Sequence, residues 1–188
     1  VPPFDKILPE HFMPAFERGM SLHEAEIDAI TSNKDEATFE NTILAYDNAG
    51  QMLAQTELVF GMLCAAETND RMQALQEQAM PLLAAHRDKI RLDDKLFVRV
   101  KEVYDRRAAL GLDAEQMRLL QKTYDSFVRA GALLDAEQKA RLKEINGQLS
   151  LTAVKFGNNI LAENNNFVLE LKSDELDGLP AGIRDAAR

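Results

Sequence analysis

Three histidines, one cysteine and a surplus of carboxylates are the residues of this chain that could do chemistry. His23-Glu24 starts like the zinc motif H-E-x-x-H, but the fifth position is Ile27. That motif works because two imidazoles four residues apart stand on one helical face. With Ile27 in the second position it fails. His11 falls in the first helical segment and His86 on an apolar stripe, so each reads as a surface or hydrogen-bonded histidine. Cys64 has no second cysteine to pair with and sits in an apolar run, which fits a small buried side chain better than a reactive thiol. There is no glycine-rich phosphate loop, and no serine stands in a G-x-S-x-G elbow. Most carboxylates fall at solvent-facing helical positions. The methionines (13, 20, 52, 62, 72, 80 and 117) spread over several helices and read as core filler, with a promiscuous peptide groove as the sharper alternative. No catalytic, cofactor-binding or metal-ligating residue is assigned within the chain.

The elements that would position any site are helical. Ala, Leu, Glu, Gln, Arg and Lys dominate the 188 residues, and all are good helix formers. Charged residues make up 28% and hydrophobic ones 46%, an ordinary globular balance with enough chain for a substantial core. The net charge of −9 repels phosphate backbones, which argues against nucleic-acid binding. The densest basic run, Arg99, Lys101, Arg106 and Arg107, is interspersed with Glu102 and Asp105 and reads as a solvated helix face. No run approaches the roughly 18 apolar residues of a membrane span. The chain begins at Val1, not Met, so an upstream segment is expected and the compartment, cytoplasmic or periplasmic, stays open.

Residues 38–68 are the stretch around which the rest must be arranged. Thr38 predicts an N-cap, with Glu40 in the first turn, for a single helix of about 30 residues, roughly 45 Å long. Phe39, Ile43, Tyr46, Gly50 and Leu53 share one face. From Leu58 to Ala66 the segment is apolar nearly all round, and such a helix must be covered on every side. Before it, residues 1–8 read as an extended arm packing Phe4, Ile7 and Leu8. A helix then carries Phe12, Phe16, Met20, Ile27 and Ile30 as far as Ser32.

After it, Asn69 predicts the cap of a third helix with Met72, Leu75, Ala79, Leu82, Leu83, His86 and Ile90 inward, kinked at Pro81. Asp93 or Asp94 opens a fourth with Leu96, Phe97, Val100, Val103 and Tyr104 inward, ended by a left-handed Gly111. Leu-Asp-Ala-Glu-Gln occurs at 112–116 and again at 134–138, and each copy is a capping box. The fifth helix buries Leu120, Thr123, Tyr124 and Phe127 and stops near Gly131. The sixth carries Leu142, Ile145, Leu149, Phe156 and Ile160 to about Glu163. Phe167, Leu169 and Leu171 alternate with Val168, Glu170 and Lys172, which predicts a strand. Ser173 would cap a short turn, and Pro180 precedes a new helical start. The fold class expected is therefore all-α: a bundle of about six long helices with one short strand near the C-terminus. It divides into a helical domain at 1–166 and the start of a following region at 167–188. An unpaired strand and an unfinished helix lead to the expectation that the chain continues.

The segments PPFDKILPEHFMPAFERGM at 2–20, AEIDAI at 25–30, TFENTILAYDNAG at 38–50, PLLAAHRDKIRLDDKLFVRVKEVYD at 81–105, LDAEQKARLKEIN at 134–146 and LDGLP at 176–180 resemble the N-terminal part of the thimet oligopeptidase and oligopeptidase A family of zinc metallopeptidases. The bacterial peptidyl-dipeptidase (dipeptidyl carboxypeptidase) branch is the nearer one. The resemblance implies a helical body cut by a channel that admits short peptides. It also implies zinc held by H-E-x-x-H and a further Glu in polypeptide beyond Arg188, and none in these residues. The chain would then be an inactive channel-wall portion, partnered by its catalytic domain, with dimerisation through exposed apolar surface as a further possibility. The alternatives are part of an oligopeptidase A-like endopeptidase, or a non-enzymatic helical scaffold.

Overall fold

A computed structural model describes residues 2–172 and 175–186. Two 3-10 turns, Phe4–Lys6 and Pro9–His11, lead into α1 (Phe12–Ser32). A loop and a π-helical turn at Phe39–Leu44 lead to the short α2 (Ala45–Asn48) and to α3 (Gln51–Ala66). There follow α4 (Asp70–Arg91), α5 (Asp94–Asp105), a 3-10 turn at Arg107–Ala109, α6 (Ala114–Arg129), α7 (Ala136–Asn166) and α8 (Ala181–Ala186). The chain is all-α. It divides into two compact units, Val1–Lys155 and Phe156–Arg188.

The helix starts are where sequence dictates structure most directly. Thr38 Oγ1 accepts from Asn41 N, Asn69 Oδ1 from Met72 N, and Asp93 Oδ1 from Leu96 N. Both LDAEQ copies close as reciprocal boxes: Asp113 with Gln116, and Asp135 with Gln138. Each satisfies backbone N–H groups that have no partner within the helix, which contributes about 1 kcal/mol. The stops also fall at glycine: Gly111 and Gly131 have φ of 64° and 97°. However, α5 ends earlier, at Asp105, and a 3-10 turn intervenes before Gly111.

The first unit holds two apolar clusters. One joins Phe12, Phe16, Leu53, Phe60, Met72, Ala79 and Leu83, from the first half of α1, α3 and α4 as far as Leu83. Phe16 meets Phe60 edge-on with ring centroids 5.3 Å apart. The other joins Ile27, Ile30, Phe39, Ile43, Ile90, Leu96, Phe97, Val100, Val103, Leu120 and Phe127 among others, from the second half of α1, the π turn, the end of α4, α5 and α6. Both α1 and α4 therefore run through both clusters.

Several expectations are corrected. The 38–68 stretch is not one helix, because Gly50 adopts φ 76° and breaks it between α2 and α3. Of the arm, Ile7 packs on the first cluster, but Phe4 and Leu8 are exposed. Leu82, expected inward, is exposed. No strand occurs among the described residues. Phe167, Val168, Leu169 and Leu171 are exposed in irregular chain, since alternation alone gives no ladder without a neighbour to pair with. The expected Ser173 cap lies outside the described residues.

The largest correction concerns α7. Its stripe was expected inward, yet Ile145, Leu149, Phe156 and Ile160 are exposed, and only Lys139 and Val154 of this helix are buried. Its early turns are tied down by polar groups instead. Lys139 pairs with Asp94, and Asn146 Nδ2 donates to Asp88 Oδ1 at 2.9 Å. Arg99 is also not solvated. It is 9% exposed, and its guanidinium donates to the carbonyls of Asn33 and Asp35 and to Asn41 Oδ1. Arg106 reaches Ala37 O and Glu36, so two cations of the α5 face hold the 33–37 loop by its backbone.

Phe127→Ala should destabilise the chain by about 3–5 kcal/mol, since the ring is fully buried and its loss leaves a cavity. Leu149→Ala should shift stability by less than about 0.5 kcal/mol, because it is 63% exposed. Urea midpoints for the two variants check both values.

Candidate functional site

The histidines that fail as a linear motif meet in space. His23 projects from the middle of α1 and His86 from α4, each between the stretches of its helix that feed the two clusters. His86 Nε2 lies 3.1 Å from His23 Nδ1, with the rings edge-on at 5.1 Å. On the far side of His86, Nδ1 faces Glu24 Oε1 at 3.5 Å, and Glu24 Oε2 accepts from Lys89 Nζ at 2.8 Å. The carboxylate favours the proton on His86 Nδ1. That leaves Nε2 to accept from His23 Nδ1–H. One hydrogen bond then joins α1 to α4 in the neutral state.

Gly50 completes the arrangement. A β-carbon there would lie 2.8 Å from His23 Cε1 and Nδ1, and the backbone is left-handed, so both space and conformation require glycine. Glu26 Oε2 accepts from Gly50 N at 2.7 Å and holds the break in place.

Burial lowers the pKa of both imidazoles. For His23 the proximity of His86 adds to this, opposed by Glu26 and Glu24. For His86, Glu24 and Glu57 oppose the effect and Lys89 reinforces it. The Lys89 hydrogen bond holds the Glu24 carboxyl below its usual range.

This donor set does not make a zinc centre. Two imidazole nitrogens face each other, but Glu24 is engaged by Lys89 and stands behind His86. Among the described residues no group of three His, Cys, Asp or Glu converges to hold a metal. The remaining candidates lie apart. His11 Nδ1 accepts locally from Leu8 N at 3.2 Å. Cys64 is half-buried, and burial raises its pKa, so it is a weak nucleophile. Met13, Met20, Met72 and Met80 fill the first cluster, whereas Met52 and Met62 are exposed. A separate groove of about 530 Å³ lies between α4 and α7, lined by Met80, Asp88, Asn146, Leu149 and Val154 among others. The histidine pair was not legible in sequence because 63 residues separate its members; only His86's place on a buried stripe hinted at a partner.

The chain is 42% identical over 163 residues to a dipeptidyl carboxypeptidase of Escherichia coli (strain K12), across 87% of this chain and 24% of that protein. It is 40% identical over 161 residues to a dipeptidyl carboxypeptidase of Salmonella typhimurium, across 86% of this chain and 24% of that protein. Over this span the chain is similar to the dipeptidyl carboxypeptidases and, at lower identity, to oligopeptidase A. Oligopeptidase A of Escherichia coli (strain K12) is 23% identical over 189 residues, which takes in 100% of this chain and 28% of that protein. The chain thus spans about a quarter of the length of the curated relatives it matches. No protein-family model matches it. In this chain the histidine pair is a junction between two helices.

Its pH dependence follows from the lowered imidazole pKa values. The unfolded chain takes up protons at about 6.5, whereas the folded chain resists until lower pH. Stability is therefore full above about 6.5 and declines as pH falls from there towards the lowered folded values. Glu24 acts lower and in the same direction, its contribution being lost as pH falls through its depressed folded value. Urea midpoints measured from pH 7.5 to 5 should fall, and His86→Gln should flatten that slope. Gly50→Ala should destabilise by at least about 1–2 kcal/mol from the left-handed backbone alone, readable in the same titration.

Proposed function

We propose that this chain is the N-terminal helical region of a zinc-dependent peptidyl-dipeptidase, in which it forms one wall of the channel that receives short peptides. Residues 1–166 form the helical domain and 167–188 begin the next region. The zinc ligands and the general base belong to other polypeptide, and the chain contributes no group to bond cleavage. The observation that carries the reading is the identity gradient: 42% to a dipeptidyl carboxypeptidase against 23% to an oligopeptidase A, each from the same organism. That gradient favours release of C-terminal dipeptides over endopeptidase cleavage.

The exposed apolar residues support a wall over a self-sufficient scaffold. Leu58 is 66% exposed, and Met62 and Leu149 are also exposed. Burying a side chain of this size contributes about 1.5–3 kcal/mol, so several left in water favour cover by more polypeptide. In this reading the cover is the catalytic domain, and a dimer through the same surface is the competing occupant.

The purified 188-residue chain is expected to retain no stoichiometric zinc by metal analysis and to release no dipeptide from short peptides. The full reading frame is expected to hold zinc and to release dipeptides. One zinc per chain, or hydrolysis by this chain alone, defeats the reading.

A further inference from the structure

Arg91 closes α4, and Arg118, Lys122 and Arg129 follow at steps of four and seven residues along α6, which places them on one face. Together they line a concavity of about 520 Å³. Its only carboxylate is Asp125, whose Oδ1 accepts from Gln121 Nε2 at 2.9 Å. Some cations elsewhere are matched by acids, as in Arg71–Glu10, Lys89–Glu24, Lys139–Asp94 and Arg141–Glu144. Among the described residues Arg118, Lys122 and Arg129 form no ion pair. Arg91 neighbours the Tyr46 hydroxyl, a phenol whose pKa burial raises, so it brings no negative charge to the guanidinium. In a chain of net charge −9, a concave site with four cations and one acid is out of keeping with its surroundings.

We propose that this groove binds the carboxylate groups of an acidic peptide. Like charges around a concavity focus positive potential into it, and an entering anion relieves their mutual repulsion. Three of the four cations are arginines, whose planar fork matches a carboxylate with two parallel hydrogen bonds. The volume suits a few residues of extended chain. Nucleic acid fits less well. No aromatic ring lines the groove to stack a base. The inference does not depend on the peptidase reading.

Calorimetric titration of the 188-residue chain with a blocked hexaglutamate peptide tests it, against hexaglutamine, inorganic phosphate and a hexanucleotide of deoxythymidine. Saturable one-to-one binding of hexaglutamate is expected, weakening as salt rises from about 0.05 to 0.5 M. Arg118→Glu and Arg129→Glu should each weaken it roughly tenfold, since each replaces an attraction by a repulsion. Lys143→Glu, an exposed cation of α7 outside the groove, should leave it unchanged. Melting curves of the three variants confirm that they fold. No saturable binding, affinity indifferent to Arg118 and Arg129, or phosphate or oligonucleotide bound as tightly as hexaglutamate would each overturn the proposal.

Discussion

The contact between His23 and His86 sits where two apolar clusters would otherwise merge. On either side of it α1 and α4 pack through aliphatic and aromatic side chains; at this level they meet through two imidazoles 3.1 Å apart. A buried polar contact of this kind has one satisfactory geometry, whereas apolar surfaces can slide. It therefore fixes the register of α1 against α4. The same ring occupies the space a side chain at Gly50 would need, so the break between α2 and α3 and the pairing of the imidazoles are one constraint. Glu26 and Glu24, which both follow His23 in sequence, secure the two ends: one holds the Gly50 amide, the other faces His86. A histidine-glutamate dipeptide that resembles a catalytic motif is used here to join helices.

What could be read from sequence, and what could not, divides by distance along the chain. Caps at Thr38, Asn69, Asp93, Asp113 and Asp135 involve partners three residues away, and every one is made. The apolar stripes of α1, α5 and α6 were also correct, because their period reports a face. Period does not report what covers that face, and this is where α7 was misread. The same limit applies to residues 167–171, whose alternation has no neighbouring strand. Gly50 was placed on a helical stripe because a lone glycine between helical patterns carries no sign of its φ. The buried Arg99 was invisible because its partners, Asn33, Asp35 and Asn41, lie in a loop some 60 residues earlier. The basic groove is hidden in sequence for a related reason: Arg91 belongs to one helix and Arg118, Lys122 and Arg129 to another, so no linear run as dense as that at 99–107 marks it.

Resemblance and geometry answer different questions. Similarity to dipeptidyl carboxypeptidases says what the chain resembles, and the packing of its helices says how these residues are held together. A body built this way has a stiff half and a loose margin. Its two clusters are closed by aromatic contacts such as Phe16 with Phe60 and Phe97 with Phe127, while α7 contributes only two buried residues.

That asymmetry bears on how the chain comes apart. Because α1 supplies Phe12 and Phe16 to one cluster and Ile27 and Ile30 to the other, neither cluster can melt while the other keeps its share of that helix. The two are expected to melt as a single cooperative block, which would give one heat-absorption peak and slow amide exchange across α1 and α4. α7 stands outside that block, and its amides would exchange first, as a local fraying that leaves the block intact.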